Sequence, residues 1–294
     1  MDQLRKNTKT ILVFLLPSLI VYTIMLMAPI GGSLVISLFK WNGIRNSKMA
    51  FVGFQNFLRV FADPKVALAV KNIAWYLVLS LLTQLPLGLL LAVILNAGFK
   101  GYKVFKTMFF VPQVLSTTVV ALVWYFILMP VGVLNNILNM AGLQSLARMW
   151  LVEPSSAITS IILVNSWAGV GFHMTVTYAA ISAIPDEIME AALLDGCAGI
   201  RRVFHIIIPM IWNSITSCII IIVTGIIKQF DMVFVMTEGG PNGLTEVPST
   251  LLYKEAFRMA NFGKASAIGV CIFISSVLVT IASLRLAKRD QIEL

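Results

Sequence analysis

The sequence predicts an all-α, polytopic membrane protein with about six transmembrane helices. Three observations lead there. Only 12% of the 294 residues are charged and 59% are hydrophobic, whereas soluble domains carry roughly 25% charged residues. Six apolar runs are each long enough, or nearly so, to cross a ~30 Å hydrocarbon core at ~1.5 Å per residue. These runs are continuous rather than alternating. Only helices or closed barrels satisfy backbone groups in lipid, so helices are expected. The mean hydropathy of +0.91 agrees.

The first run, 11–30, follows Arg5, Lys6 and Lys9. It is about the ~20 residues a span needs, longer than a 7–15-residue signal core. No small-x-small cleavage site follows it, so it reads as a retained helix. The other runs are 73–95, 104–128, 158–181, 211–227 and 265–286. Residues 31–72 form a long mixed connection, with a turn signal at Trp41-Asn42-Gly43 and then Asp63-Pro64. Residues 96–103 are short and basic, and 129–157 carry little charge. Residues 182–210 mix acids, bases and two glycines. Residues 228–264 contain Gly239-Gly240-Pro241, a turn signal.

The net charge of +9 is spread beside the apolar runs, where cations meet headgroups and help set orientation. No aromatic-interleaved basic patch suggests nucleic acid. Cys197, Cys218 and Cys271 have neither metal nor disulfide spacing and read as small buried hydrophobes. No carboxylate pair, Ser-His-Asp set or metal cluster is discernible, so no catalytic residue and no cofactor is expected. With the N-terminus inside, 11 of the 22 Lys and Arg residues fall on each side, and the raw count decides nothing. The three basics before the first run, against Lys40 as the first after it, favour N-in. Six spans then return the C-terminus, with Arg285, Lys288 and Arg289, to the same side.

The most informative stretch is 184–209. Pro185 suits a first helical turn, and Asp186, Glu187 and Glu190 suit its positive end. Ile188, Met189, Ala191, Ala192 and Leu194 supply an apolar side, and Gly196 and Gly199 are stop signals. A helix of about ten residues, roughly 15 Å long, results. It is too short and too charged to span. The residues suit equally an interfacial helix and a docking helix for a partner. Small residues at 191, 192 and 196 leave a low-profile surface able to enter a groove.

Glu190-Ala191-Ala192, Asp195-Gly196 and Ile208-Pro209 resemble the EAA motif of binding-protein-dependent ABC permeases. Trp167, Gly171, Phe172, Met174 and Ile184-Pro185 upstream are similar to the sugar-type, maltose and glycerol-3-phosphate class. So are Phe230-Asp231, Thr237-Glu238-Gly239-Gly240-Pro241, Thr245-Glu246, Tyr253, Ala256-Phe257 and Phe262-Gly263-Ala265-Ser266-Ala267 downstream. Val52-Gly53-Phe54-Gln55-Asn56-Phe57 resembles that family's first extracytoplasmic loop. Cys197 departs from its usual alanine.

The resemblance implies the type I ABC importer permease fold. It implies a single permease domain over 1–294, with a cytoplasmic coupling-helix loop at 182–210. It also implies a location in a bacterial or archaeal cytoplasmic (inner) membrane. The expected partners are a second homologous permease, an ATP-binding cassette ATPase dimer, an extracytoplasmic solute-binding protein, a carbohydrate and membrane lipid. ATP is then hydrolysed on another chain, in keeping with the lack of a G-x-x-x-x-G-K-[ST] loop here. Glu190, Ala191, Ala192, Asp195, Gly196 and Pro209 would form the ATPase-coupling element. A bulky residue or Asp at position 196 should uncouple hydrolysis from transport.

Polar groups within spans tend to face a cavity or a neighbouring helix. Gln84, Asn165, His173, Thr175, Thr177, Ser217 and Thr224 are the notable ones. Trp124, Asn165, Trp167, His173 and Thr177 are candidates to line a sugar path, against the plainer role of helix–helix hydrogen bonding. Gly169 and Gly171 are expected to permit close packing. A self-sufficient secondary transporter or channel for a small polar solute would carry charged coupling groups or paired broken helices. Neither is evident in the sequence.

Overall fold

The computed structural model describes residues 8–287. Arg5, Lys6, Lys288 and Arg289, used above for orientation, lie outside the described residues. The described chain divides into two compact units, one reaching Asp63 and including Leu251–Phe273, the other covering Pro64–Thr250 and the chain from Ile274 onward.

In the first unit, α1 runs through Thr8–Tyr22, a π-helical turn at Thr23–Met27, and Ala28–Ile36. The wide turn precedes Pro29, whose ring would otherwise press on the carbonyl four residues back. None of the apolar stretch Val13–Ile36 is buried within the protein. A two-stranded antiparallel ribbon follows, β1 (Phe39–Lys40) and β2 (Ala50–Phe51), with Phe39 opposite Phe51. Helix α2 spans Gln55–Ala62. Its Asn56 donates to the carbonyls of Ser37 (2.8 Å) and Phe39 (2.9 Å). Lys264 closes the unit by pairing with Asp63 and Glu255, both at 2.6 Å.

The second unit is built on α3 (Pro64–Asn96) and α7 (Ala157–Ser182). Trp75 Nε1 donates to Thr159 Oγ1 at 3.3 Å, Thr83 Oγ1 donates to Ser166 Oγ at 2.8 Å, and Gly88 abuts His173. These pairs ascend together, so the two helices run parallel. Parallel neighbours require one crossing between them. The expected continuous span at 104–128 is corrected here, because it divides into α4 (Tyr102–Val114) and α5 (Thr117–Leu128). Leu115 and Ser116 between them are extended, with ψ of 148° and 131°. Pro112 removes a backbone donor from the last turn of α4 and weakens continuation. Helix α4 runs against α7, with Lys106 Nζ 4.7 Å from the Tyr178 ring centre. As expected, Gly171 permits close packing, since a Cβ there would strike the Phe109 carbonyl.

Helix α6 (Val133–Met140) follows α5, and the short α8 (Asp186–Leu194) follows α7. Next comes α9, made of Gly199–Arg202, a π turn at Val203–Ile207 and Ile208–Met210. Pro209 again follows a π turn, as Pro29 does. Helix α10 (Trp212–Ile227) leaves α9 at a 76° bend. The fifth expected run, 211–227, corresponds to α10, and the bend at Ile211 sets it off from α9. Two short helices, α11 (Asp231–Thr237) and α12 (Pro248–Tyr253), precede α13 (Phe262–Ala287). Among the described residues, five stretches are long and apolar enough to cross a membrane, or six if α9 and α10 together make one span.

Candidate functional site

Two places in the second unit gather the predicted residues. At one end of α7, α8 begins after Pro185, which is extended and so precedes the helix instead of forming its first turn. Asp186 and Glu187 occupy the first turn, where carboxylates meet the positive helix end. The helix stops in a Schellman motif. The Cys197 N–H reaches the Ala192 carbonyl at 2.8 Å and the Gly196 N–H reaches the Leu193 carbonyl at 3.1 Å. That closure needs a left-handed residue, and Gly196 has φ +72° with nothing within 4 Å of an added Cβ.

The faces of α8 differ from the sequence expectation. Ala192 is buried, and Met189 packs on a cluster of Ala92, Ile181, Ile207, Ile211 and Ile215. Glu190, Ala191 and Asp195 are exposed, so of the two alanines only Ala192 belongs to the packed side. Leu194, expected on the packed side, is 89% exposed and Leu193 is 52% exposed. Ile200 and Phe204 on α9 are also exposed. Pro209 is exposed near the bend between α9 and α10.

The second place is a cavity of about 270 Å³. Its polar lining is Gln84 from α3, Gln113 and Thr117 from the ends flanking the α4–α5 break, Asn165 and His173 from α7, and Gln229 beyond α10. Among the described residues, no Asp, Glu, Lys or Arg lines it. The break matters because irregular backbone is tolerated at membrane depth only where protein or a cavity covers it. Gln84 and His173 are each 4% exposed, and His173 Nδ1 has no hydrogen-bond partner among the described residues. A Cβ at Gly169 would meet Gln84 Oε1 at 2.7 Å, so this glycine leaves room for the amide.

Of the five path candidates, Asn165 and His173 line the cavity, while Trp124, Trp167 and Thr177 do not. The two indoles pack edge-on, 5.4 Å apart. Thr177 is buried and contacts the Cys218 thiol. Thr175, Ser217 and Thr224 return their hydroxyls to carbonyls four residues back on their own helices. Gln113, Thr117 and Gln229 were missed. The available signal was Pro112 ahead of Gln113 in a long apolar run.

A family model described as "Binding-protein-dependent transport system inner membrane component" matches residues 84–290. A probable ABC transporter permease protein of Bacillus subtilis, YurN, is 36% identical, with 95% of this chain and 96% of that one aligned. The multiple sugar-binding transport system permease MsmF of Streptococcus mutans is 29% identical, over 95% of each chain. Among solved structures, a bacterial ABC transporter involved in import of the acidic polysaccharide alginate superposes with a TM-score of 0.83. It is 26% identical and is covered to 95% in each chain. The same kind of transporter has been solved with an alginate pentasaccharide-bound periplasmic protein. With most of its length matched by the family model, this chain belongs to the binding-protein-dependent transport system inner membrane components.

Proposed function

We propose that this chain is one permease half of an ATP-driven carbohydrate importer, coupled through α8 to a separate ATPase. The observation that carries the reading is the α8–α9 segment. It is held to its own chain by Met189 and Ala192, yet presents Leu193, Leu194, Ile200 and Phe204 outward. Apolar side chains grouped this way mark a partner surface. Glu190, Ala191, Asp195 and Gly196 belong to the same surface, and Pro209 stands near the bend through which its movement reaches α10. The loop 182–210 is then the coupling element of one permease domain over 1–294.

Carbohydrate cargo is supported by the names of the sugar and alginate relatives and by the chemistry of the cavity. Amides, a hydroxyl and an imidazole suit a hydroxyl-rich solute, with Asn165 and His173 as direct contacts. Outside the cavity, Trp124 of α5 packs on Trp167 of α7, and Thr177 of α7 meets Cys218 of α10. A broken helix is also a feature of self-sufficient transporters, but among the described residues the cavity has no charged group to bind a coupling ion. The partners are a second permease, an ATPase dimer and an extracytoplasmic binding protein. The chain catalyses no reaction itself, and both termini face the cytoplasm.

Co-purification with a tag on this chain is expected to recover an ATPase and a second permease. A cysteine at Glu190 should react with an impermeant thiol reagent only from the cytoplasmic side. Uptake by this chain alone, or labelling from outside, would overturn the reading.

A further inference from the structure

Helix α2 turns its apolar side outward. Asn56 and Val60 are buried, whereas Phe54, Leu58 and Phe61 are 73%, 68% and 75% exposed, and Phe51 is 70% exposed. Positions 54, 58 and 61 share one helical face. A stripe of that size is unfavourable in water.

The level at which this stripe lies is fixed inside the first unit. Asn56 is bonded to the carbonyls of Ser37 and Phe39, directly past Ile36, the last residue of α1. Gly263, the second residue of α13, abuts Phe39 and the Asn56 amide. Helix α2 is thus held where one apolar span ends and another begins. That is the interfacial zone, where aromatic rings concentrate. The unburied surface of α1 continues towards it.

The charge around the stripe has one sign. Arg45, Lys48 and Arg59 are exposed and form no ion pair among the described residues. The unit's two described acids, Asp63 and Glu255, are both engaged by Lys264. Among the described residues of this unit, neither acid is paired with the three cations.

We propose that α2 is an interfacial anchor on the leaflet at which α1 ends. It seats Phe51, Phe54, Leu58 and Phe61 at the boundary of headgroups and acyl chains, while Arg45, Lys48 and Arg59 bind anionic phospholipid headgroups. This requires membrane insertion alone and stands apart from cargo and ATPase.

The test uses the full chain in its assembled complex, in phosphatidylcholine nanodiscs with or without phosphatidylglycerol. Cys197, Cys218 and Cys271 are first replaced by serine, and a bimane is placed at Leu58→Cys or at Asn46→Cys in the ribbon loop. Brominated phosphatidylcholine is expected to quench the label at 58 far more than at 46, with or without the binding protein. R45Q/K48Q/R59Q should reduce preferential retention of phosphatidylglycerol, read by native mass spectrometry, by about fivefold per cation. Quenching at 58 by aqueous iodide instead of brominated lipid would overturn the anchor. Shielding at 58 that appears only when the binding protein is added would make this a protein-docking face. Unchanged lipid retention in the triple variant would remove the headgroup contact.

Discussion

The α8–α9 surface and the cavity beside α7 are inverted versions of each other. One exposes Leu193, Leu194, Ile200 and Phe204, which water disfavours. The other buries Gln84 and His173, which lipid disfavours. Each is incomplete in the isolated chain, and each names its missing complement by chemistry. An apolar surface closed by a rigid backbone motif awaits a protein, and a small uncharged polar cavity awaits a solute rich in hydrogen-bonding groups. On the function proposed above, energy would enter at one and cargo would pass the other.

The sharpest way to break this comparison is at the exposed leucines. Burying a leucine side chain contributes about 1.5–3 kcal/mol. Replacing Leu193 and Leu194 together by serine should weaken ATPase association at least about a hundredfold, with the chain still inserted. Affinity of the purified ATPase for the permease pair in detergent measures it. Unaltered affinity would mean that the leucines face lipid. A smaller effect is expected at Gly196. A Cβ crowds the following carbonyl in the left-handed conformation at a cost of about 1–2 kcal/mol, so Gly196→Val should lower uptake about tenfold. Because nothing in this chain fills the space at 196, membrane level should be unchanged and ATP hydrolysis should persist without transport.

Much of this was legible in the sequence. Apart from 104–128, the apolar runs marked the membrane helices, and Pro185, Gly196 and Gly199 marked the limits of α8 to within a residue. The breaks were not legible. Leu115 and Ser116 sit inside an apolar run, and one proline does not reveal whether a helix kinks or parts. The run read as 211–227 begins where α10 does, but nothing in it foretold the 76° turn away from α9. The facing of Ala191 and Leu194 depended on which side of a nine-residue helix meets the Ile207 cluster. Periodicity is weak evidence over two and a half turns. The cavity was half visible for a similar reason. Composition marks Asn165, His173 and Thr175 alike as polar residues in a span, and only tertiary packing separates those that line a space from those bonded to their own helix.

That separation yields the finer predictions. His173→Leu removes a buried imidazole whose Nδ1 has no partner among the described residues. It should leave thermal stability unchanged or higher, since an unsatisfied buried polar atom costs about 1–3 kcal/mol. Uptake should fall about fivefold, from loss of a hydrogen bond worth about 1 kcal/mol to the cargo. Thr175→Val, two residues along the same helix, should do almost nothing. Its hydroxyl already donates to the Gly171 carbonyl at 2.9 Å, and valine keeps the branched shape. The change in stability is expected within about 0.5 kcal/mol, with initial uptake rates matching the parent. The two substitutions resemble each other in hydropathy and in membrane depth, so depth alone predicts similar outcomes for both. If T175V impaired uptake as much as H173L, the cavity would not be where selectivity resides. If only H173L did, the path would be fixed to the side of α7 that faces Gln84 and the α4–α5 break.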